Sequence, residues 1–270
     1  MIQITDLNFV YPGQEVLFSN LSVHLEAGSI TGLLGKNGAG KTSLLKLFSG
    51  LLHPQSGEIS VMEHNPKKRQ VSFLADVFLV PEEFTFPPIS IRDYLKAYAP
   101  FYPKFDTGLM KETLAEFDLQ YEHNLSRLSH GQKKKFLIAF ALSTRCRLLV
   151  LDEPTNGLDI PSKLLFRKIL AGSLEDNQLV IISTHQVKDV ENLIDKILIL
   201  DNGKVIFQKS IQEISQRVRF ITGSSQDVEN AIYSEAVPGG YRLMLPNNNE
   251  ETEVDIELLF NAINKGKKLD

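Results

Sequence analysis

The sequence predicts an α/β fold on a mostly parallel sheet, with an inserted helical subdomain and a small C-terminal α+β appendage. Three observations carry that expectation. Strand-length apolar runs recur at Ile30–Leu34, Val77–Val80, Leu148–Leu151, Leu179–Ile182 and Ile197–Leu200, with helix-like segments among them. The first run leads directly into Gly35-Lys36-Asn37-Gly38-Ala39-Gly40-Lys41-Thr42, a glycine-rich turn that opens a helix. Beyond about residue 216 the texture changes to short, separate strand and helix signals.

In chain order, Ile2 to about Ser29 reads as short strands and turns, with alternation in Leu21–Leu25 and a turn signal at Tyr11-Pro12-Gly13. A helix is expected from about Lys41 to Leu51, then a turn at His53–Gly57 and a strand at Glu58–Val61. Val77–Val80 reads as a buried strand closed by Pro81. Helical periodicity dominates Ser90–Leu119, broken around Ala99–Pro103, and a further helix is expected over Gln132–Thr144. These segments delimit a helical subdomain at about 85–145 inside a first domain of 1–215. In the accessory region, 216–270, strands are expected at Arg217–Thr222 and Tyr241–Leu245 and helices at Asp227–Tyr233 and Val254–Asn264. Between them Asn247-Asn248-Asn249 reads as a turn or loop, and Lys265-Gly266-Lys267-Lys268 as a solvated terminus.

Composition narrows the function classes. A chain of 270 residues that is 43% hydrophobic and 23% charged suits a folded protein with room for one large domain and an appendage. The net charge of −4 gives no electrostatic case for binding nucleic acid. The single cysteine, Cys146, excludes an intramolecular disulfide, fits a reducing compartment and reads as a small buried hydrophobe. No apolar run approaches the ~18–20 residues that cross a bilayer, and the first residues lack the layout of a signal peptide. The expectation is a cytoplasmic chain whose connection to a membrane runs through another subunit.

The glycine-rich turn has the chemistry of a phosphate-binding loop. Gly35, Gly38 and Gly40 permit main-chain conformations and close approaches that let successive N–H groups turn onto phosphate oxygens. Lys41 is placed to reach the β- and γ-phosphates, Thr42 offers a hydroxyl to Mg²⁺, and the helix N-terminus faces the same anion. Downstream, the strand Leu148–Leu151 ends in Asp152-Glu153-Pro154. There Asp152 can hold Mg²⁺ directly or through water, and Glu153 can polarise an attacking water as general base. Acids in that position could instead mark a helix start.

Between these motifs lies Leu128-Ser129-His130-Gly131-Gln132, followed by Lys133-Lys134-Lys135. Together with the loop and the Asp-Glu strand it resembles the signature of ATP-binding-cassette (ABC) ATPases, usually Leu-Ser-Gly-Gly-Gln, with His130 in place of a glycine. The resemblance covers about residues 1–215 and looks most like the exporter or drug-resistance type of transporter subunit. It implies a P-loop NTPase fold and an ATPase using ATP and Mg²⁺, with Gly35, Lys36, Asn37, Gly38, Ala39, Gly40, Lys41 and Thr42 on the nucleotide. Tyr11 would stack on adenine, His185 would contact the γ-phosphate and help position the water, and Asp159 would communicate across a dimer. Turn packing for Tyr11 and a structural strand-end role for His185 are the alternatives. Ser129, Gly131 and Gln132 would serve the ATP of a second cassette, identical or related, bound head to tail. Where the family usually carries a glutamine after a strand-terminal proline, Val80-Pro81-Glu82-Glu83 places Glu82 as a Mg²⁺ ligand, with Asp76 in an alternative register.

The same resemblance implies a separately encoded transmembrane permease as partner, with the helical subdomain as its receiver. Phe84, Phe86, Tyr94, Tyr98, Phe101, Tyr102 and Phe105 are read as divided between a docking groove and ordinary core packing. Lys133-Lys134-Lys135 are read as a solvated helix face. A soluble cassette ATPase acting on a non-membrane assembly is the alternative function.

Overall fold

The computed structural model describes residues 1–248 and 250–269; Asn249, in the loop expected at 247–249, lies outside them. The chain begins with β1 (Ile2–Val10), β2 (Val16–Leu25), β3 (Ser29–Leu34), α1 (Lys41–Phe48), β4 (Ser56–Val61), α2 (Val71–Leu74) and β5 (Val77–Val80). Three helices follow, α3 (Ile91–Tyr98), α4 (Thr107–Glu116) and α5 (His130–Ser143). The chain then returns through β6 (Leu148–Asp152), α6 (Ile160–Ser173), β7 (Leu179–Thr184), β8 (Lys196–Asp201), β9 (Lys204–Ser210) and α7 (Ile211–Arg217). It closes with β10 (Val218–Gly223), β11 (Tyr233–Val237), β12 (Gly240–Pro246) and α8 (Ile256–Asn264).

The central sheet has the order β5-β6-β7-β3-β8-β9, parallel except where β9 turns back on β8. Its inner strands are buried on both faces, and side-chain alternation divides them between two cores. Leu148, Val150, Leu179 and Ile181 face α1 and the antiparallel sheet β2-β1-β4, packing with Phe18, Leu44 and Phe48. Leu149, Leu151, Val180 and Ile182 face the other way, onto Phe136 and Phe140 of α5 and Phe166 of α6. The register pairs Val80 with Leu151, Asp152 with Ser183 and Leu34 with Thr184. The parallel strands β5, β6, β7 and β3 therefore release their following loops at one edge of the sheet, where open α/β folds place their ligands.

Several boundaries differ from the sequence reading for local reasons. The first helix ends at Phe48 rather than Leu51, because Gly50 turns left-handed at φ 68° and its Cβ would meet the Pro66 carbonyl. The helix expected over Asp227–Tyr233 is only a 3₁₀ turn at Asp227–Asn230; Tyr233 begins β11, whose pairing with β12 outweighs its local helical signal. The order β10-β12-β11 makes a separate antiparallel sheet, and α8 packs on β11, β12 and the short turn Val187–Asp189. Lys188 of that turn pairs with Glu257 of α8 at 3.1 Å.

Five of the seven aromatic residues between 84 and 105 line the core rather than an open groove. Phe84, Phe86, Tyr94, Tyr102 and Phe105 pack against it, mostly around Phe136 and Phe140, while Tyr98 and Phe101 remain exposed. No helix of the described residues is long and apolar enough to cross a membrane.

Candidate functional site

The loop after β3 needs glycine at three places; at Gly35 a Cβ would lie 2.5 Å from the Leu200 carbonyl oxygen. Gly38 has φ 82° with open space around it, so its backbone conformation alone demands the residue. Gly40, at φ 105°, caps α1, and a Cβ there would lie 2.8 Å from the Phe18 ring. The main chain thus enters the helix with its first amides free for an anion. Lys41 folds back over this loop: its Nζ donates to the carbonyls of Gly35 at 2.7 Å and Lys36 at 3.2 Å. Burial pushes the Lys41 ammonium below its ordinary value, and the carboxylates of Glu153, Asp152 and Glu82 oppose that push.

Strand β6 delivers the acids. Asp152 is buried, with one carboxylate oxygen accepting from Thr42 Oγ1 at 2.8 Å and the other from Ser183 Oγ. Glu153 follows in a left-handed conformation, φ 46°, sparsely populated by non-glycine residues. Its amide donates to the Ser183 carbonyl at 3.1 Å, which ties the turn to β7. The residue is 4% exposed; Oε1 lies 2.8 Å from His185 Nδ1 and accepts from the His185 amide at 3.1 Å. The second oxygen, Oε2, is buried without a hydrogen-bond partner. An unpartnered buried carboxylate oxygen is an unmet acceptor, which a bound water or hydrated cation would satisfy.

Tyr11, Asn37, Gly38, Gly40, Lys41 and Thr42 line one side of a cleft of about 790 Å³, and Glu82, Asp152, Glu153 and His185 line the other. Tyr11 OH lies 2.9 Å from Ser43 Oγ, and its ring packs edge-on against Phe9 at 4.8 Å, leaving it half-exposed in the cleft. Gly35, Lys36 and Ala39 shape the loop from behind: Ala39 is buried, its amide bonding the Lys36 carbonyl at 3.1 Å. Glu82 reaches the cleft on the loop after β5, and its Oε1 accepts from Asn156 Nδ2 at 3.2 Å. The alternative Asp76 is committed elsewhere, to Arg147 at 2.8 Å.

The donor set suits Mg²⁺ better than a metal held wholly by protein. Among the described residues no group of three His, Cys, Asp or Glu side chains is gathered as a metal cage. Mg²⁺ usually takes one or two protein groups with phosphates and water. Thr42 keeps lone pairs open toward the cleft, while both Asp152 oxygens already accept hydroxyls and suit an outer contact.

Ser129, Gly131 and Gln132 are not part of this cleft. Ser129 caps α5 in a reciprocal capping box with Gln132, leaving the first turn presented at the surface. His130 stacks on Phe84 with ring centroids 5.5 Å apart. A Cβ on Gly157 would lie only 2.9 Å from the Cδ2 of His130, so the turn headed by Ser129 rests on the loop that leads to Asp159. Asp159 caps α6, accepting from the Ser162 amide at 3.1 Å. A larger cleft, about 1030 Å³, lies between α7 and the C-terminal region and contains none of these residues.

Two contributors were hidden in the sequence. Ser183 anchors both Asp152 and Glu153, a role that only the pairing of β6 with β7 creates. Lys134 is not solvated as its charge run suggested: it is 0% exposed beneath the site. The only sequence signal for it is the apolar set Leu137, Ile138 and Ala141 at i+3, i+4 and i+7 from Lys134.

A family model described as "ABC transporter" matches residues 18–156. The bacitracin transport ATP-binding protein BcrA of Bacillus licheniformis is 32% identical over 223 residues, 81% of this chain and 72% of the relative. A Nod factor export ATP-binding protein I of Burkholderia lata is 32% identical over 200 residues, 72% of this chain and 66% of the relative. A solved structure described as the ATP-binding subunit of an ABC transporter superposes with a TM-score of 0.72 at 24% identity, covering 79% of this chain and 91% of that one.

Proposed function

Since the chain belongs to the ABC transporter family, as an ATP-binding subunit that hydrolyses ATP, we propose that two such cassettes close head to tail on two ATP molecules and drive a separate membrane permease. The direction we assign is export, supported by the likeness to a Nod factor export subunit. The chain would then sit in the cytoplasm, against the inner face of the membrane, through the permease. The observation that carries this reading is the separation of two half-sites. The phosphate loop, Asp152, Glu153 and His185 share one cleft, whereas the helix capped by Ser129 opens outside it.

In this mechanism the loop amides and Lys41 hold the phosphates, Lys41 exchanging the carbonyls of Gly35 and Lys36 for phosphate oxygens. Thr42, Glu82 and Asp152 would hold Mg²⁺, which supplies charge neutralisation for the phosphate oxygens. Glu153 takes the proton of the attacking water, its aim fixed by His185. Ser129, Gly131 and Gln132 of the second cassette complete the site from the γ-phosphate side, and Asp159 links the two halves. Hydrolysis removes the group that joins them.

The test is Glu153→Gln. The substitution retains the bond-accepting shape but not the base, so ATP binding persists, turnover falls by about 10²-fold or more, and an ATP-bound dimer accumulates on gel filtration with MgATP. A variant that stays monomeric with MgATP counts against the head-to-tail clamp. Recovery with soluble assemblies instead of an integral membrane protein in a mild-detergent pull-down would replace the permease, and transport inward would reverse the assigned direction.

A further inference from the structure

Lys134, in the second turn of α5, is a fully buried cation whose hydrogen bonds all go to main-chain oxygens. Its Nζ donates to the carbonyls of Pro81 at 3.3 Å, Glu82 at 3.3 Å and Glu153 at 3.4 Å, and lies 5.1 Å above the centre of the Phe84 ring. A lysine ammonium has three donors, so these three acceptors saturate it. Withdrawing such a group from water is unfavourable unless hydrogen bonds and nearby charge offset it. Burial is the main influence on the ammonium, and the negative charges of Glu82, Asp152 and Glu153 oppose it.

The three acceptors come from the loop that follows β5 and the turn that follows β6, and the donor comes from the helix headed by Ser129. Glu153 is consequently held on both sides of its strained backbone: Ser183 takes its amide and Lys134 its carbonyl. We infer that Lys134 is a positioning residue, a strut that ties the Glu82 loop and the main chain of Glu153 to the helix headed by Ser129 and so holds Glu153 in place for the chemical step. This rests on the reading of Glu153 as general base above. The strut predicts that Lys134 acts on the catalytic step through Glu153 rather than on nucleotide capture, which belongs to the loop at 35–42.

Steady-state hydrolysis of MgATP by the full chain, with melting curves, separates these roles. Lys134→Gln is expected to lower kcat by about tenfold or more while KM for MgATP stays within about threefold, because misplacement of a general base weakens the chemical step before binding. Lys134→Arg, which keeps a buried multivalent donor, should recover at least about a third of wild-type kcat. Equal kcat in Lys134→Gln and wild type, or a rise in KM that accounts for the whole loss, overturns the strut. Should Lys134→Gln fail to fold, Lys134→Met decides: it fills a similar volume with no donor and removes the buried charge. A fall in kcat of about tenfold or more at a KM within about threefold supports the proposal, and unchanged kcat overturns it. A wild-type chain without MgATP hydrolysis would overturn the functional reading and the strut together, whereas an active wild type matched by Lys134→Gln removes the strut alone.

Discussion

Cys146 and Lys134 show how burial sets the chemistry of single side chains. Cys146 is fully buried, its Sγ 3.6 Å from the Ala75 carbonyl, and burial pushes its thiol up to about 12. The reactive species is the thiolate, so the folded chain should resist Ellman's reagent at pH 8. Labelling is expected to run at least about a hundredfold slower than in denaturant, where the ordinary thiol value returns. Rapid stoichiometric labelling of the folded chain would show that the cysteine is not enclosed. The burial of Cys146 was legible in the sequence because the residue adjoins an apolar strand. Lys134 was not, because Lys133 and Lys135, only half-buried, flank it in one charge run. Likewise the convergence of Thr42, Asp152 and Glu153 on one cleft was legible from the motifs that follow β3 and β6, whereas the bonds of Ser183 to Asp152 and Glu153 arise only from strand pairing.

The helical subdomain depends on how its elements are capped and joined. Asp106 caps α4 by accepting from the Leu109 amide at 2.9 Å and also pairs with Arg145, just past the end of α5, at 2.8 Å. Arg145 in turn donates to the Ser173 carbonyl at the end of α6, so one carboxylate fastens three helices. The Leu109 amide first, and Arg145 second, hold the Asp106 carboxyl below its ordinary value of 3.8. The lowered value means that its contribution is present above pH 3.8 and lost as the pH falls through the folded-state value. Asp106→Ala is expected to remove about 1 kcal/mol from the cap at pH 7, with at most about 1 kcal/mol more from the partly exposed ion pair. Urea denaturation of both chains at pH 7 and near pH 3 checks this; the gap should narrow at the lower pH. At this scale, Val77–Val80 matched β5 because an apolar four-residue run bounded by Pro81 has little latitude. The strand Tyr233–Val237 escaped detection because its burial pattern is irregular and its pairing partner lies later in the chain.

At the scale of the whole molecule, each ATP site in the proposed assembly takes its phosphate loop from one chain and its signature from the other. Two differently damaged chains should therefore complement each other. Lys41→Ala removes the phosphate contact, and Ser129→Arg blocks the signature; a mixed pair concentrates both defects in one site and leaves the other intact. An equimolar mixture should recover about a quarter of wild-type sites under free exchange, although each variant alone is inactive. No recovery on mixing would show that the two motifs do not meet across chains. The central α/β architecture was legible because its parallel strands are continuous apolar runs. The seating of α8 against Val187–Asp189 was not, because it joins segments about seventy residues apart through packing and the Lys188–Glu257 pair. The left-handed backbone at Glu153 has a consequence for selection. Glycine would occupy φ 46° without strain, so a substitution there can relieve the fold while removing the proposed general base. Screening libraries of this protein for heat resistance alone would therefore enrich inert chains at position 153, and any thermostabilised version must be chosen under simultaneous demand for turnover.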